Sequence, residues 1–192
     1  MVVTKSKEKL YSFEEYLNYD DGTDNLYELV DGRLELMNPP TVRHFLIAKF
    51  LEQCFDREIE KQGYSWVCFR EAGVRIGWRK SRLADLFIVP KEVVLELLDN
   101  TAIFQVPPLL VVEVVSPDSV SRDYRYKRSE YAALGIPEYW IVDPKENKVT
   151  LLLLKEGLYE ETLFTEENRI VSQQFSCLDL TANQVLAAGN LQ

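Results

Sequence analysis

Two carboxylates stand in this chain where an apolar core is expected. Glu113 interrupts the run Leu109-Leu-Val-Val-Glu-Val-Val115, and Asp85 interrupts Leu83-Ala-Asp-Leu-Phe-Ile-Val89. An ionised carboxylate in an apolar strand is strongly destabilising unless something partners it. The partner is either a salt bridge with backbone donors, or a divalent cation held between the acids. One such acid is most simply structural; two in neighbouring runs point to a site. Lys127 adds a cation, because Tyr124, Lys127, Arg128, Tyr131 and Leu134 share one stripe of the helix that follows Glu113. On that stripe its ammonium either snorkels to solvent or lies beside the acids. In the second position it would steer a water nucleophile or stabilise a pentavalent phosphate. Asp123, one turn earlier, is spaced to pair with Lys127 and fix its rotamer.

The elements that must carry these groups follow from periodicity. Ser12-Phe-Glu-Glu15 has the form of a capping box and opens a short helix to about Asn18. Leu26 to Met37 alternates around Asp31-Gly32, which predicts a hairpin. Thr41 is placed to cap a long amphipathic helix from Val42 to Gln62, with the stripe Val42, Phe45, Leu46, Phe50, Cys54, Phe55 and Ile59, and Gly63 at its end. Strands are expected at Tyr64–Phe69, Gly73–Trp78 and Leu83–Val89, then a short helix at Glu92–Leu98. The nearly continuous aliphatic run Leu109–Val115 reads as a central strand covered on both faces. A helix over Arg122–Leu134 ends at Gly135, and Tyr139–Val142 forms another buried strand. Lys148–Leu154 and Leu158–Phe164 form a hairpin turning at Glu156-Gly157, and from Ser172 onward the signals are weak. This order gives an α/β fold with a central mixed sheet flanked by helices. His44, the sole histidine, falls in the first turn of the long helix, where it is read either as a capping or half-buried residue or as a group at the site. Glu28 is explained by alternation in an exposed hairpin.

Composition narrows the classes. With 192 residues, 46% of them hydrophobic, the chain suffices for one domain and a real core. No apolar run approaches the roughly 18–20 residues needed to span a bilayer. Met1–Lys9 is charged and lacks the apolar stretch of a signal peptide, so a cytoplasmic protein without membrane attachment is expected. Cys54, Cys68 and Cys177 lack metal-ligand spacing and read as thiols in a reducing compartment. Net charge is −9, which weighs against broad non-specific nucleic-acid binding. Cations nevertheless cluster beside the acids: Arg75, Arg79, Lys80 and Arg82 precede Asp85, and Arg122, Arg125, Lys127 and Arg128 follow Glu113. Phosphate loops, dinucleotide fingerprints and nucleophile elbows are absent, which leaves no nucleotide cofactor to expect.

The segment Leu109-Leu-Val-Val-Glu-Val-Val-Ser-Pro117, the Asp-x-x-x-Lys of Asp123 and Lys127, and Tyr131-Ala-Ala-Leu-Gly-Ile-Pro-Glu-Tyr-Trp-Ile-Val-Asp-Pro144 together resemble the Uma-type (DUF820-like) restriction endonuclease family of the PD-(D/E)XK nuclease superfamily. The resemblance extends back through Arg82-Leu-Ala-Asp-Leu86 to Tyr27-Glu-Leu-Val-Asp-Gly32 and Pro39-Pro-Thr-Val-Arg-His44. It implies a restriction-endonuclease-like core in one domain over 1–192, with an N-terminal helix and hairpin over 1–40 and the core and C-terminal hairpin over 41–192. It also implies a Mg²⁺- or Mn²⁺-dependent endonuclease hydrolysing DNA phosphodiesters, with Asp85 as the motif aspartate and Glu113 as the acid of the E-x-K element. Asp85, Glu113 and the backbone carbonyl of Val114 would hold the metal, Lys127 would act beside it, and His44, Asp123 and Glu28 would support them. Cutting two strands implies a homodimer. The chain departs from the superfamily pattern in carrying Ala84 before Asp85, where proline is common, and Val115 at the strand-lysine position. The rival readings are an inactive nuclease-fold binding or regulatory module, and a hydrolase of RNA or another phosphodiester.

Overall fold

Alternating apolar runs separated by glycine-bearing turns assemble into one large mixed sheet with helices on both faces. The computed structural model describes residues 9–190, so the signal-peptide reading of Met1–Lys9 falls, but for Lys9, outside the described residues. Element α1 (Phe13–Leu17) carries the expected capping box between Ser12 and Glu15. The hairpin β1 (Tyr27–Val30) and β2 (Arg33–Leu36) turns at Asp31 and Gly32, both with positive φ (50° and 83°), as a two-residue turn of this hand requires. Helix α2 (Val42–Gln62) is capped by the Thr41 side chain and ends at left-handed Gly63. The two strands expected between Tyr64 and Trp78 are one, β3 (Trp66–Gly77), and β4 is longer than expected (Lys80–Pro90).

After the short α3 (Lys91–Leu95) come β5 (Ile103–Phe104), which the sequence reading did not foresee, and β6 (Leu110–Val114). The helix expected over Arg122–Leu134 is in two parts: a π-helical segment, Arg122–Lys127, running into α4 (Arg128–Leu134). Strands β7 (Glu138–Asp143), β8 (Lys148–Lys155) and β9 (Leu158–Phe164) complete the sheet, and α5 (Ala182–Ala187) follows. Helix α5 lies in the tail where the signals were weak, although Thr181 and Gln184 form a capping box that marks its start. Among the described residues no helix is long and apolar enough to cross a membrane.

Strand β6 pairs in parallel with β7, and the other pairings are antiparallel except β3 with β5. One face packs Leu86, Val112, Val114 and Trp140 against Ile47, Leu51 and Phe55 of α2. The other packs Phe87, Val111, Tyr139 and Ile141 against Tyr131 of α4. The buried stripe of α2 is Ile47, Ala48, Leu51, Cys54 and Phe55. Val42 and Phe45, expected on that stripe, are exposed, because the first turn of α2 reaches past the apolar core to the mouth of a cleft.

The position of that cleft is set by strand pairing. β3 accompanies β4 from Trp66↔Pro90 to Gly77↔Lys80 and so fills one edge of it. The remaining edge is divided: β1 meets β4 at Leu29↔Ser81, and β6 meets it at Leu86–Ile88. Between these contacts β4 forks away from both neighbours. The alternation of β4 also slips here, since Ala84 and Phe87 pack on one face of the sheet and Leu86 on the other. Across the ladder from this slip, Glu71 adopts a positive φ of 53°.

Glu138 of β7 is a further acid buried in the sheet, and its contacts are architectural. Glu138 accepts hydrogen bonds from Trp140 Nε1 (2.6 Å), Ser172 Oγ (2.7 Å) and the Gln173 and Gln174 amides (2.8 and 2.9 Å), which ties the tail to β7. Removing the carboxylate leaves these buried donors without partners. Glu138→Ala is expected to lower unfolding free energy by on the order of 3–5 kcal/mol, measured as a shift in denaturant midpoint at constant slope.

Candidate active site

The fork in β4 leaves backbone groups that no strand can satisfy, and side chains satisfy them. The Leu83 amide donates to Glu28 Oε1 (3.0 Å), and the Leu83 carbonyl accepts from Lys127 Nζ (3.3 Å). Asp85 Oδ2 accepts the Val114 amide at 2.6 Å, replacing a ladder bond just beyond the last pairing of β4 with β6. The polar side chains of the fork are therefore part of the sheet's own hydrogen bonding.

Glu113, on the adjacent strand, is buried. Its Oε2 lies 2.7 Å from Lys127 Nζ, and its Oε1 accepts the Tyr131 hydroxyl at 2.6 Å. Lys127 is buried too, only 2% exposed, so it does not snorkel. Around its ammonium stand Glu113, then Glu28 at 3.7 Å and Asp123 at 3.9 Å. The π-helical segment brings Asp123 and Lys127 to one side, and Tyr131 continues that side in α4. Asp123 is held by the Ser119 hydroxyl, and its carbonyl accepts from Tyr139. His44 reaches the same place from the first turn of α2, with Nε2 3.2 Å from Asp85 Oδ1. Its Nδ1 is buried and has no partner.

Glu28 corrects the sequence reading. It is fully buried rather than on an exposed hairpin, and it accepts from Arg82 Nη1 at 2.7 Å as well as from Leu83. Arg82 also binds Glu130 through Nε (2.8 Å) and Nη2 (3.0 Å), which anchors α4 to β4. The signal for Glu28 was available in Tyr27-Glu-Leu-Val30, where the acid precedes two apolar residues of a strand that then packs inside. Arg82 and Tyr131, which hold Glu28 and Glu113, were not among the expected site residues. No local pattern marks them, because their partners are distant in sequence.

The resulting cleft encloses about 360 Å³, with Asp85, Glu113, Val114, Asp123, Lys127 and His44 among its lining residues. Its electrostatics are those of a site with more negative than positive charge. Burial pushes the Glu113 carboxyl up to about 8, against the pull of Lys127 and with the help of Asp85. Burial likewise raises Asp123. Burial alone would lower Lys127, but Glu113, Glu28 and Asp123 outweigh it and raise the ammonium. Burial also opposes charge on His44, yet its hydrogen bond to Asp85 and the surrounding acids raise it. Glu28 runs the other way: Lys127 and Arg82 overcome its burial and lower it.

Such a donor set suits a hard divalent cation. Each oxygen of Asp85 and Glu113 that holds a protein donor retains a second lone pair, and the excess negative charge favours a cation. Among the described residues no group of three or more His, Cys, Asp or Glu side chains forms a metal cage by itself. The fit is therefore to an ion completed by water and a substrate phosphate, as Mg²⁺ commonly is.

Comparison with known proteins agrees with this architecture. The Uma2 family, described as a putative restriction endonuclease family, matches residues 13–183. The crystal structure of a putative nuclease belonging to DUF820 from Anabaena variabilis superposes with a TM-score of 0.78 at 18% identity, covering 93% of this chain and 99% of that one. The two share a fold. The type IIG restriction endonuclease BpuSI matches 80% of this chain and 17% of its own length at 14% identity, with a TM-score of 0.39, too low to establish a common fold. Among curated proteins none matches. A family match running from α1 into α5, over a sheet whose fork gathers Asp85, Glu113 and Lys127, identifies this chain as a member of the Uma2 family of restriction-endonuclease-like proteins.

Proposed function

We propose that the protein is a metal-dependent endonuclease that hydrolyses phosphodiester bonds of DNA, with Asp85, Glu113 and Lys127 as its catalytic residues. The observation that carries this reading is that Glu113, ion-paired with the buried Lys127 ammonium, and Asp85, tied to the adjacent Val114 amide, line one open cleft at the fork of β4. With Val115 at the strand position, the ammonium beside Glu113 comes from the helix instead, as Lys127 Nζ at 2.7 Å. That geometry favours an active site over a degenerate binding module.

Asp85, Glu113 and the Val114 carbonyl would hold Mg²⁺ or Mn²⁺, which when bound polarises the scissile phosphate and acidifies a bound water. The chain's own residues do the rest. Lys127 presents N–H donors to the attacking water and to the charge that builds on the phosphate oxygens. As water attacks phosphorus and the P–O bond to the leaving sugar oxygen breaks, the water's proton passes to solvent and the sugar oxygen takes up another. His44 fixes the rotamer of Asp85 through Nε2, while Asp123 and Glu28 hold the ammonium in place. Cutting both strands of a duplex takes two such sites, which a homodimer would supply.

Calorimetric titration with Mn²⁺ tests the metal site without a substrate. Wild type is expected to bind saturably and Asp85→Asn weakly or not at all; equal binding by both would refute the assignment. In a plasmid-relaxation assay, activity should appear with Mg²⁺ or Mn²⁺, vanish in chelator, and fall at least about 10²-fold in Lys127→Ala. A Lys127→Ala enzyme that cleaves normally would rule the lysine out of the chemistry. Lys127 also neutralises buried acids, so Lys127→Met should unfold about 10 °C below wild type in chelator. Millimolar Mn²⁺ should restore part of that loss by supplying positive charge to the same acids; no restoration would separate the acids from the metal.

A further inference from the structure

A second cleft, of about 730 Å³, adjoins the acid cleft and shares Thr41, Ser116 and Pro117 with it. Its walls combine two chemistries. Val115, Pro117, Val120, Pro144 and the ring of Tyr124 supply apolar surface, and Arg43, Lys145 and Lys148 supply positive charge. Two acids also line it, but Asp143 is buried and turned inward, accepting the Tyr124 hydroxyl at 3.2 Å and the Lys145 and Glu146 amides at 3.1 and 3.0 Å. Glu146 remains at the surface.

The cations of this wall are not neutralised by neighbouring acids, unlike many others in the protein. Most basic side chains near the fork or on the far strands are neutralised: Lys80 and Arg82 by Asp31, Glu28 and Glu130, Arg70 by Glu52, Arg128 by Glu161, and Lys155 by Glu160. Among the described residues, Arg43, Lys145 and Lys148 have no carboxylate within ion-pairing distance, and neither has Arg122 at the edge of the acid cleft. Arg122 also keeps a buried Nε without an acceptor. Lys148 lies over the Tyr124 ring, 5.3 Å from its centroid, on a long side chain that can swing aside. In a chain of net charge −9, unpaired cations gathered along one continuous path from the acid pair select an anionic, extended ligand.

We propose that this cleft binds an unstacked nucleotide of the DNA strand next to the scissile phosphate. The base lies against Tyr124, Val120 and Pro144 in the place Lys148 now covers, and flanking phosphates take Arg43, Lys145, Lys148 and the free Nε of Arg122. Apolar walls with an aromatic ring suit the face of an unpaired base, whereas a stacked duplex offers phosphates and groove edges. The proposal rests on the nucleolytic reading for its place next to the scissile bond, but it concerns binding and not turnover.

The test is fluorescence anisotropy with a short labelled oligodeoxynucleotide, single-stranded and as its duplex, in Ca²⁺ at low salt. Wild type should bind the single strand more tightly than the duplex. Lys145→Ala/Lys148→Ala and Tyr124→Leu should each weaken single-strand binding about tenfold, and the lysine double variant should also lower the slope of log affinity against log salt by about 1. Lys61→Ala/Lys155→Ala, which removes two ion-paired lysines away from the cleft, should bind as wild type. A duplex that binds more tightly than the single strand overturns the proposal, as do cleft variants indistinguishable from wild type. Since no turnover is needed here, failure of the hydrolytic reading shows in plasmid relaxation and failure of the cleft shows in these titrations.

Discussion

The buried contact between Lys127 and Glu113 is the constraint around which the centre of this protein is arranged. An ammonium taken out of water is tolerated only if negative charge and hydrogen bonds surround it. Here it has Glu113, Glu28, Asp123 and the Leu83 carbonyl, contributed by β6, β1, the π-helical segment and β4. Four elements that are distant in the chain thus meet at one nitrogen. An apolar quartet of similar volume would pack as well or better, so stability alone does not account for the charge at this point.

The fork in β4 is the geometric half of the same arrangement. A strand that exchanges one neighbour for another must leave unpaired amides and carbonyls, and these are costly when buried. This chain fills the gap with carboxylates and an ammonium instead of closing it. The irregularity and the chemistry are therefore one feature: polar side chains recruited to repair the ladder also converge on a cleft. The positive φ of Glu71 across from the fork is the backbone's share of that compromise.

Much of this was legible in the sequence, because the strongest signals were local. The capping boxes, the Asp31-Gly32 turn, the period of α2 and the apolar runs of β4 and β6 each specify their element with few residues. Asp85, Glu113 and Lys127 stood out because their polarity conflicts with those patterns, and the fold brings all three to one cleft. Glu138 shows the limit of that logic. It too is a carboxylate within a buried strand, yet four neutral donors satisfy it. What separates it from Glu113 is the kind of partner, neutral donors at Glu138 but a buried ammonium shared with other acids at Glu113, and that depends on contacts distant in sequence. Glu28 was underrated for the same reason, since its partner Arg82 lies 54 residues away. The π-helical register of Arg122–Lys127 was likewise not foreseeable, as a single sequence carries no strong signal distinguishing it from an α-helix.

The bond from Asp85 to the Val114 amide bears on how such a protein would decay. If the proposed nuclease activity were no longer needed, the fork would still have to be closed, so folding alone would keep Asp85, Arg82 and Lys127 under selection. Among the described residues, the imidazole of His44 bonds only Asp85, and Arg122 has a nitrogen with no acceptor. Those two positions are free to drift first. A relative that keeps the acids and the lysine but has lost the histidine and the arginine would be a scaffold that has outlived its chemistry.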